Sequence, residues 1–284
     1  MKPINAKNVL AIGFIAALNV FGIYFAAFLP DADFTPTFMP ATRLVLQGQS
    51  PYLLAHFHNP PWAILLFLPF TAFPQAMARG LFFIASTVPL VALIYKNKLN
   101  LPGSLALLLS PTLIGVLLAA NLDTFVHSGL LFPPVWGLFI LLIKPQVGVG
   151  VALYLLVDSW EKGGWKKVVQ TLGPVLIGFI LTFVIFPVLI TKFLNKPTND
   201  PWNRSIFPFG ILPGLFFLWL SIKRKNPYYA LAVGPLISPY TTFYSYLAVQ
   251  VALINEDVEH FIRRDVLQVL MTIFLWTIML IFRL

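Results

Sequence analysis

The distribution of charge along the chain constrains its fold more than any other sequence feature. Only 10% of the 284 residues are charged and 58% are hydrophobic, whereas a soluble domain carries about 25% charged residues. An apolar run of roughly 18 residues can cross a bilayer as a helix, so the sequence predicts an all-α, polytopic membrane helix bundle of about ten spans, some broken or re-entrant. The stretches without Asp, Glu, Lys or Arg are 8–30, 80–95, 99–122, 124–143, 145–157, 168–191, 205–222, 226–255 and 266–282.

The basic residues predict the orientation of a single integral membrane domain, 1–284. They cluster in short connections between apolar stretches, which is typical of cytoplasmic loops under the positive-inside rule. The net charge of +9 therefore does not indicate nucleic-acid binding, and we expect a bacterial cytoplasmic membrane protein. The main clusters are Lys162, Lys166 and Lys167, then Lys223, Arg224 and Lys225, and finally Arg263 and Arg264.

Counting spans from the N-terminus gives a provisional topology. We expect a retained first span at about 8–29 with its N-terminus in the cytoplasm, followed by a first extracytoplasmic loop, 30–60. On this count Lys96 and Lys98 lie outside, against the positive-inside rule. Three short or broken spans then follow, placing Asp123 near the inner face and Lys144 near the outer face.

The first extracytoplasmic loop carries Asp31 and Asp33, two of the ten acidic residues. One carboxylate at a membrane surface can act as a general base toward a substrate hydroxyl. Alternatively, the two could share a divalent cation with phosphate oxygens. Both could also be ordinary solvated loop acids, so the carboxylates alone do not decide the function.

The residues around Asp33 form a recurrent pattern. The loop contains Asp33-Phe34, a short helical stretch ending at Leu46-Gln47-Gly48, then Ser50-Pro51-Tyr52 and Asn59-Pro60-Pro61 before an apolar segment. Two further motifs, Ile143-Lys144-Pro145-Gln146 and Ser238-Pro239-Tyr240-Thr241-Thr242-Phe243-Tyr244, follow in the same order. The combination resembles the GT-C superfamily of polyprenyl-phosphate-sugar-dependent glycosyltransferases, in particular the α-1,2-mannosyltransferase-like family.

This resemblance implies an extracytoplasmic active site and an inverting transfer from a lipid-borne sugar. Asp33 would be the general base and Asp31 a helper or metal contact, with no protein metal site assigned and a divalent cation left open. The transferred sugar would be a hexose, with mannose as the candidate, and the acceptor an extracytoplasmic glycan or glycolipid. Membrane lipid and a membrane complex are further expected partners. The candidate contacts for the lipid phosphate or sugar are Lys144, Arg43, His58, Tyr240, Tyr244 and Arg204.

Other interpretations of the same residues remain open. This chain has Asn59 where the family usually has Tyr, and no His in its late Ser-Pro element, so a non-catalytic GT-C-like subunit of a membrane complex is the main alternative. A transporter or flippase is a weaker one, because no inverted repeat is evident. Asp123 and His127 are four residues apart, which favours a hydrogen-bonded structural pair over a metal or proton-relay site.

Overall fold

The computed structural model describes residues 31–194, 200–260 and 262–282, together with 13, 16, 20 and 22–24. All regular secondary structure in these residues is helical, which confirms the predicted all-α class. The expected first span, 8–29, and its cytoplasmic N-terminus lie largely outside the described residues.

The helices vary widely in length, and the first short one follows the predicted pattern. It begins beside Pro40 and is followed by Gly48, whose φ of +73° suits glycine. The α-helices are α1 (Met39–Leu46), α2 (Gln75–Lys96), α3 (Leu101–Leu108), α4 (Pro111–Ala119), α5 (Asp123–His127), α6 (Pro134–Leu141), α7 (Pro145–Ile185), α8 (Val188–Leu194), α9 (Ile211–Arg224), α10 (Pro227–Ala230), α11 (Val233–Ile237), α12 (Leu247–Ala252) and α13 (Arg264–Phe282). Shorter 3₁₀ turns and one π-helical turn, Phe34–Phe38, lie between them.

Among the described residues three helices, α2, α7 and α13, are long and apolar enough to cross a membrane. The helices α3 and α4 together would make a fourth crossing, with a bend of 47° between them. The chain is therefore a helical membrane protein with at least one broken segment, while the expected count of about ten spans is not confirmed. One reason is that the apolar stretch after Pro60 forms two 3₁₀ helices, Pro61–Leu66 and Leu68–Ala72, instead of a long α-helix.

The helix α7 folds back on itself. Its 41 residues are interrupted at Gly163–Gly164, where Gly164 has a φ of +59°, and a straight helix of that length would span roughly 60 Å. Both of its ends nevertheless lie beside the same loop. Asn59 donates to the carbonyl of Ile143 at 3.0 Å and accepts through its own carbonyl from Tyr52 at 2.9 Å. The Tyr52 ring in turn packs on Phe186, with 5.1 Å between centroids.

One end of the bundle collects the basic connections, and we call it the basic end. The Arg264 guanidinium donates to the carbonyl of Asn97 at 2.7 Å, and Lys225 forms an ion pair with Glu161 at 3.5 Å. The segment with Lys96 and Lys98 therefore lies with the other basic clusters. The expectation that these two lysines stand on the opposite side is wrong, because α2 runs the full depth of the bundle before reaching them. The basic end comprises Lys96, Lys98, Glu161, Lys225, Asn226, Arg263 and Arg264.

The opposite end, which we call the site end, holds the acidic loop. Arg79, near the start of α2, forms an ion pair with Asp31 at 3.0 Å. The backbone N–H of Asp33 donates to the carbonyl of Ala119, at the end of α4, at 3.1 Å. Because α2 starts at this end and rises 1.5 Å per residue, the two ends are separated by about 30 Å, the thickness of a bilayer core.

Residues 123–144 form a hairpin that enters and leaves the bundle at the site end. Its limbs pack closely, since a Cβ on Gly137 would clash with the carbonyl oxygen of Gly129. Its two ends meet in an ion pair of 2.7 Å between Asp123 and Lys144. The expectation that these two residues lie at opposite faces is therefore wrong. The physical reason is a reversal of the chain between the 3₁₀ turn Ser128–Leu131 and Pro134, because of which α6 returns to the end of the bundle where α5 began.

Candidate functional site

Side chains from distant parts of the chain converge at the site end in one hydrogen-bonded network. We call this network the polar cluster, and it brings together two residues from the hairpin, two from the segment after Pro239, one from the first loop and one from the turn after α4. Its members are Asp33, Asn121, Asp123, Lys144, Tyr244 and Ser245. Three of them, Asp33, Lys144 and Tyr244, are residues that the sequence motifs single out.

The Asp33 carboxylate is fixed by both its backbone and its side chain. Its carbonyl accepts from Thr37 and Phe38 in the π-helical turn, at 3.0 and 2.9 Å. Its Oδ2 accepts from Asn121 Nδ2 at 2.6 Å and from the Tyr244 hydroxyl at 3.2 Å. The residue remains partly exposed, so one side of this carboxylate is held while the residue is still within reach of an incoming molecule.

The environment of Asp33 favours its protonated form. Removal of the carboxylate from water raises its pKa above the ordinary 3.8, and the Asp123 charge adds to this shift. The hydrogen bond from Asn121 and the Lys144 charge act in the opposite direction without cancelling the effect of burial. A carboxylate with a raised pKa binds a proton more strongly, which suits a group that must accept one.

Asn121 connects Asp33 to the buried cation. Its amide nitrogen donates to Asp33, and its amide oxygen accepts from Lys144 Nζ at 3.3 Å. The preceding residue, Ala120, ends α4 in a left-handed conformation with a φ of +52°. That turn stops the helix and directs Asn121 into the polar cluster. The sequence interpretation missed this residue, because Ala120-Asn121-Leu122-Asp123 is not one of the motifs on which the resemblance rests.

Lys144 and Asp123 form a buried ion pair below Asp33. The Lys144 side chain is 8% exposed and that of Asp123 is fully buried. The ammonium contacts both Asp123 oxygens at 2.7 and 2.8 Å and the Ser245 hydroxyl at 2.9 Å. An ammonium has three N–H donors, and all three have acceptors within the protein. A phosphate could therefore reach Lys144 only by displacing one of them.

Asp31 has a different environment from Asp33. Its Oδ1 accepts from the Thr35 N–H at 2.7 Å and its Oδ2 pairs with Arg79. These contacts tie the acidic loop to α2, so the geometry gives Asp31 a structural role. Across 31–194, 200–260 and 262–282 no group of three or more His, Asp or Glu side chains is arranged to hold a metal ion.

Two further predicted residues lie at the rim of the site end. The Tyr240 hydroxyl is 3.5 Å from Asp200 Oδ2, and burial together with the charges of Asp200 and Asp33 raises the pKa of Tyr240 to about 12. The Arg204 guanidinium donates to the carbonyls of Pro201 and Asn203 at 2.6 and 3.0 Å. Its backbone N–H donates to the carbonyl of Thr241, so the segment around Arg204 is held against the segment that carries Tyr240 and Tyr244.

The remaining predicted residues have weaker connections to the polar cluster. His58 is partly buried and precedes Asn59, which contacts the Ile143 carbonyl next to Lys144. Arg43 is exposed on α1. His127 is fully buried, but within the described part of the chain neither of its ring nitrogens has a hydrogen-bond partner. The predicted hydrogen bond between His127 and Asp123 is therefore wrong.

Lys192 is a structural residue that the sequence interpretation did not single out. Its ammonium donates to the carbonyls of Leu54, Ala55 and Phe57 in the first loop. These contacts fix the loop between α1 and the 3₁₀ helices against α8. A lysine just after a long apolar stretch gives the sequence signal, because such a side chain commonly reaches for polar groups at the membrane boundary.

Comparison of the chain with protein-family models, curated proteins and solved structures returned no match. What the protein does is therefore inferred from the residues of the polar cluster and from the motifs that contain them.

Proposed function

We propose that the protein is a membrane glycosyltransferase that moves a hexose, with mannose as the candidate, from a polyprenyl-phosphate donor to an extracytoplasmic glycan or glycolipid. The proposal joins the resemblance to GT-C enzymes with the geometry around Asp33. In this scheme the site end is extracytoplasmic, because the basic end satisfies the positive-inside rule. The enzyme adopts a GT-C-like bundle in which the first loop and the segment after Pro239 frame the reaction centre.

The observation that carries the proposal is the state of the Asp33 carboxylate. Asp33 is a partly exposed residue of the polar cluster, whereas the other acidic residue of the cluster, Asp123, is fully buried and paired. The pKa of Asp33 is also raised. These properties suit a general base that must be reached by an acceptor hydroxyl and must hold its proton once transferred.

The proposed reaction is a direct displacement at the anomeric carbon of the donor. Asp33 takes the proton of the acceptor hydroxyl while the acceptor oxygen forms the new bond to carbon. The bond between carbon and the phosphate oxygen breaks, and the lipid phosphate leaves with the electron pair. Because a phosphate is a good leaving group, the second carboxylate of a glycosidase is not required.

The departing phosphate needs a positive partner, and the polar cluster and the rim of the site end each offer one candidate. Arg204, at the rim, donates to the carbonyls of Pro201 and Asn203, and among the described residues no carboxylate forms an ion pair with it. Lys144 lies deeper and is neutralised by Asp123. We assign Arg204 the first contact with the phosphate, and Lys144 the task of holding Asn121 and thereby Asp33. Tyr240 and Tyr244 then provide hydroxyl groups and ring faces for the sugar.

The test is the Asp33→Asn variant, assayed with purified protein and polyprenyl-phosphate hexose. We expect a loss of about 100-fold or more in transfer rate, the range for removal of a general base, with unchanged accumulation in membranes. Asp158→Asn is the matched control, because Asp158 is a carboxylate paired with Lys162 away from the polar cluster. Equal activity of wild type and Asp33→Asn would refute the assignment.

A non-catalytic subunit is the second candidate, and one observation favours it. The Lys144 ammonium already has acceptors for all three donors inside the protein, as expected of a network that only stabilises the bundle. Under this alternative the protein would co-purify in a stable membrane complex. Asp33→Asn would then leave the activity of the whole complex unchanged.

A further inference from the structure

A polar cleft lies at the basic end, on the opposite side of the bundle from the polar cluster. It has a volume of about 530 Å³, within the usual range of small-ligand sites. It opens between the C-terminal ends of α2 and α9, the start of α10 and the turn that follows α12. We call it the basic cleft, and its lining includes Lys96, Lys98, Arg224, Lys225, Glu256 and Asp257.

The charge of the basic cleft is positive in spite of its two carboxylates. Four cationic side chains line it against two acidic ones. Asp257 is engaged by Asn226, whose amide nitrogen lies 2.7 Å away. Glu256 meets Lys98 in an ion pair of 3.6 Å whose side chains are 81% and 59% exposed. Such an exposed ion pair is weak, so an anion that binds Lys98 more tightly can displace Glu256.

Two of the lysines that line the basic cleft have the same unusual backbone conformation. Lys98 and Lys225 each follow a helix and have left-handed conformations, with φ values of +48° and +52°. Glycine ordinarily occupies this position after a helix. Lysine at both places brings two cations to the basic cleft, and Lys225, like Lys98, is engaged by an exposed and therefore weak ion pair, here with Glu161 at 3.5 Å.

Aromatic side chains place the basic cleft at the depth of the lipid headgroups. Tyr95 and Trp165 are exposed to 85% and 68%. Trp219, one turn before the end of α9, stacks against Lys223, whose ammonium is 4.5 Å from the ring centroid. Exposed Tyr and Trp beside lysine are typical of the boundary between hydrocarbon and water.

We propose that the basic cleft binds the phosphate headgroup of an anionic phospholipid from the leaflet at the basic end. The headgroup phosphate would lie between Lys98 and Lys225 with its acyl chains along the apolar surfaces of α2 and α9. Basic pockets between membrane helices on the cytoplasmic side commonly bind such headgroups. This site is separate from the proposed sugar transfer and does not depend on it.

The test uses full-length protein in nanodiscs of phosphatidylcholine alone or with phosphatidylglycerol, and measures the retained anionic lipid by native mass spectrometry after extraction. The Lys98→Asn/Lys225→Asn variant removes two positive charges from the basic cleft. Asparagine tolerates the left-handed backbone conformation at both positions. A surface lysine contributes about 1 kcal/mol to binding of anionic lipid, or roughly fivefold. We therefore expect at least a tenfold loss of retained phosphatidylglycerol.

The Lys166→Gln/Lys167→Gln variant is the control. These two exposed lysines lie on α7, just after its break at Gly163–Gly164, and do not line the basic cleft. We expect the control variant to retain phosphatidylglycerol within about twofold of wild type.

Two outcomes would overturn the proposal. An equal loss of retained phosphatidylglycerol in both variants would mean that the lipid is attracted by the overall positive charge of the surface. No loss in either variant would mean that the basic cleft does not bind it. If inorganic phosphate in detergent binds as tightly as the lipid, the site is a phosphate site and the lipid assignment is wrong. Monodisperse gel filtration of both variants shows that folding is retained.

Discussion

The two ends of the bundle use the same kinds of charged residue in opposite ways. At the site end Lys144 and Asp123 come together from within the membrane hairpin, almost completely out of solvent, at 2.7 Å. At the basic end Lys98 and Glu256 meet at 3.6 Å with most of both side chains in water. The difference shows that the number of ion pairs says little about stability, because burial decides how much each one contributes.

The buried pair gives the largest expected effect. Lys144→Met alone leaves the Asp123 carboxylate buried without its cation, and we expect a loss of about 3–5 kcal/mol in the free energy of unfolding. The double variant Asp123→Leu/Lys144→Met removes both charges and should recover most of that loss. Unfolding in a mild detergent, followed by tryptophan fluorescence, measures both. If the double variant is as unstable as the single one, the pairing of the two residues is not what stabilises the hairpin.

The pH dependence of Asp33 sharpens the comparison at the site end. Its pKa in the folded protein is raised above 3.8, so as pH falls the base becomes protonated, and transfer is lost, at a pH higher than an ordinary aspartate would give. Removal of the Asn121 hydrogen bond, which lowers this pKa, should move the acidic limb of the rate profile further upward. The measurement is the pH profile of transfer for wild type and Asn121→Ala. A limb that moves to lower pH in the variant would contradict the role given to Asn121.

The raised pKa of Asp33 also affects the stability of the fold, with the opposite dependence on pH from the rate of transfer. Since the folded state holds the Asp33 proton more tightly than the unfolded state, the stabilisation is full below pH 3.8 and is lost as pH rises through the raised pKa. Asp33→Asn, which stays neutral, should therefore be at least as stable as wild type at pH 7. Thermal unfolding at pH 7 measures this, and a clear loss of stability would show that the ionised carboxylate holds the loop.

The exposed pair at the basic end gives the smallest effect. Glu256→Gln removes one partner of the Lys98 pair, and we expect a change of less than about 1 kcal/mol in the free energy of unfolding. Raising the salt concentration should leave even this difference smaller, because exposed charges are screened. A loss comparable to that of Lys144→Met would remove the distinction between the two ends.

The sequence predicted the local features of the site better than its topology. Asp33, Lys144 and Tyr244 could be selected by motif, and the helix before Gly48 by its stop signal. The pairing of Asp123 with Lys144 could not, because hydropathy measures how apolar a segment is and not whether it turns back. Opposite charges that flank an apolar stretch too interrupted to cross were the available signal. Asn121 and Ser245 carry no distinctive pattern and are identified only by the positions of their neighbours.

The hairpin between Asp123 and Lys144 also has a consequence for how the protein is made. Neither limb is long enough to remain in a bilayer by itself, and each carries a charge at its open end. The ion pair between Asp123 and Lys144 can therefore form only after the whole hairpin has been synthesised.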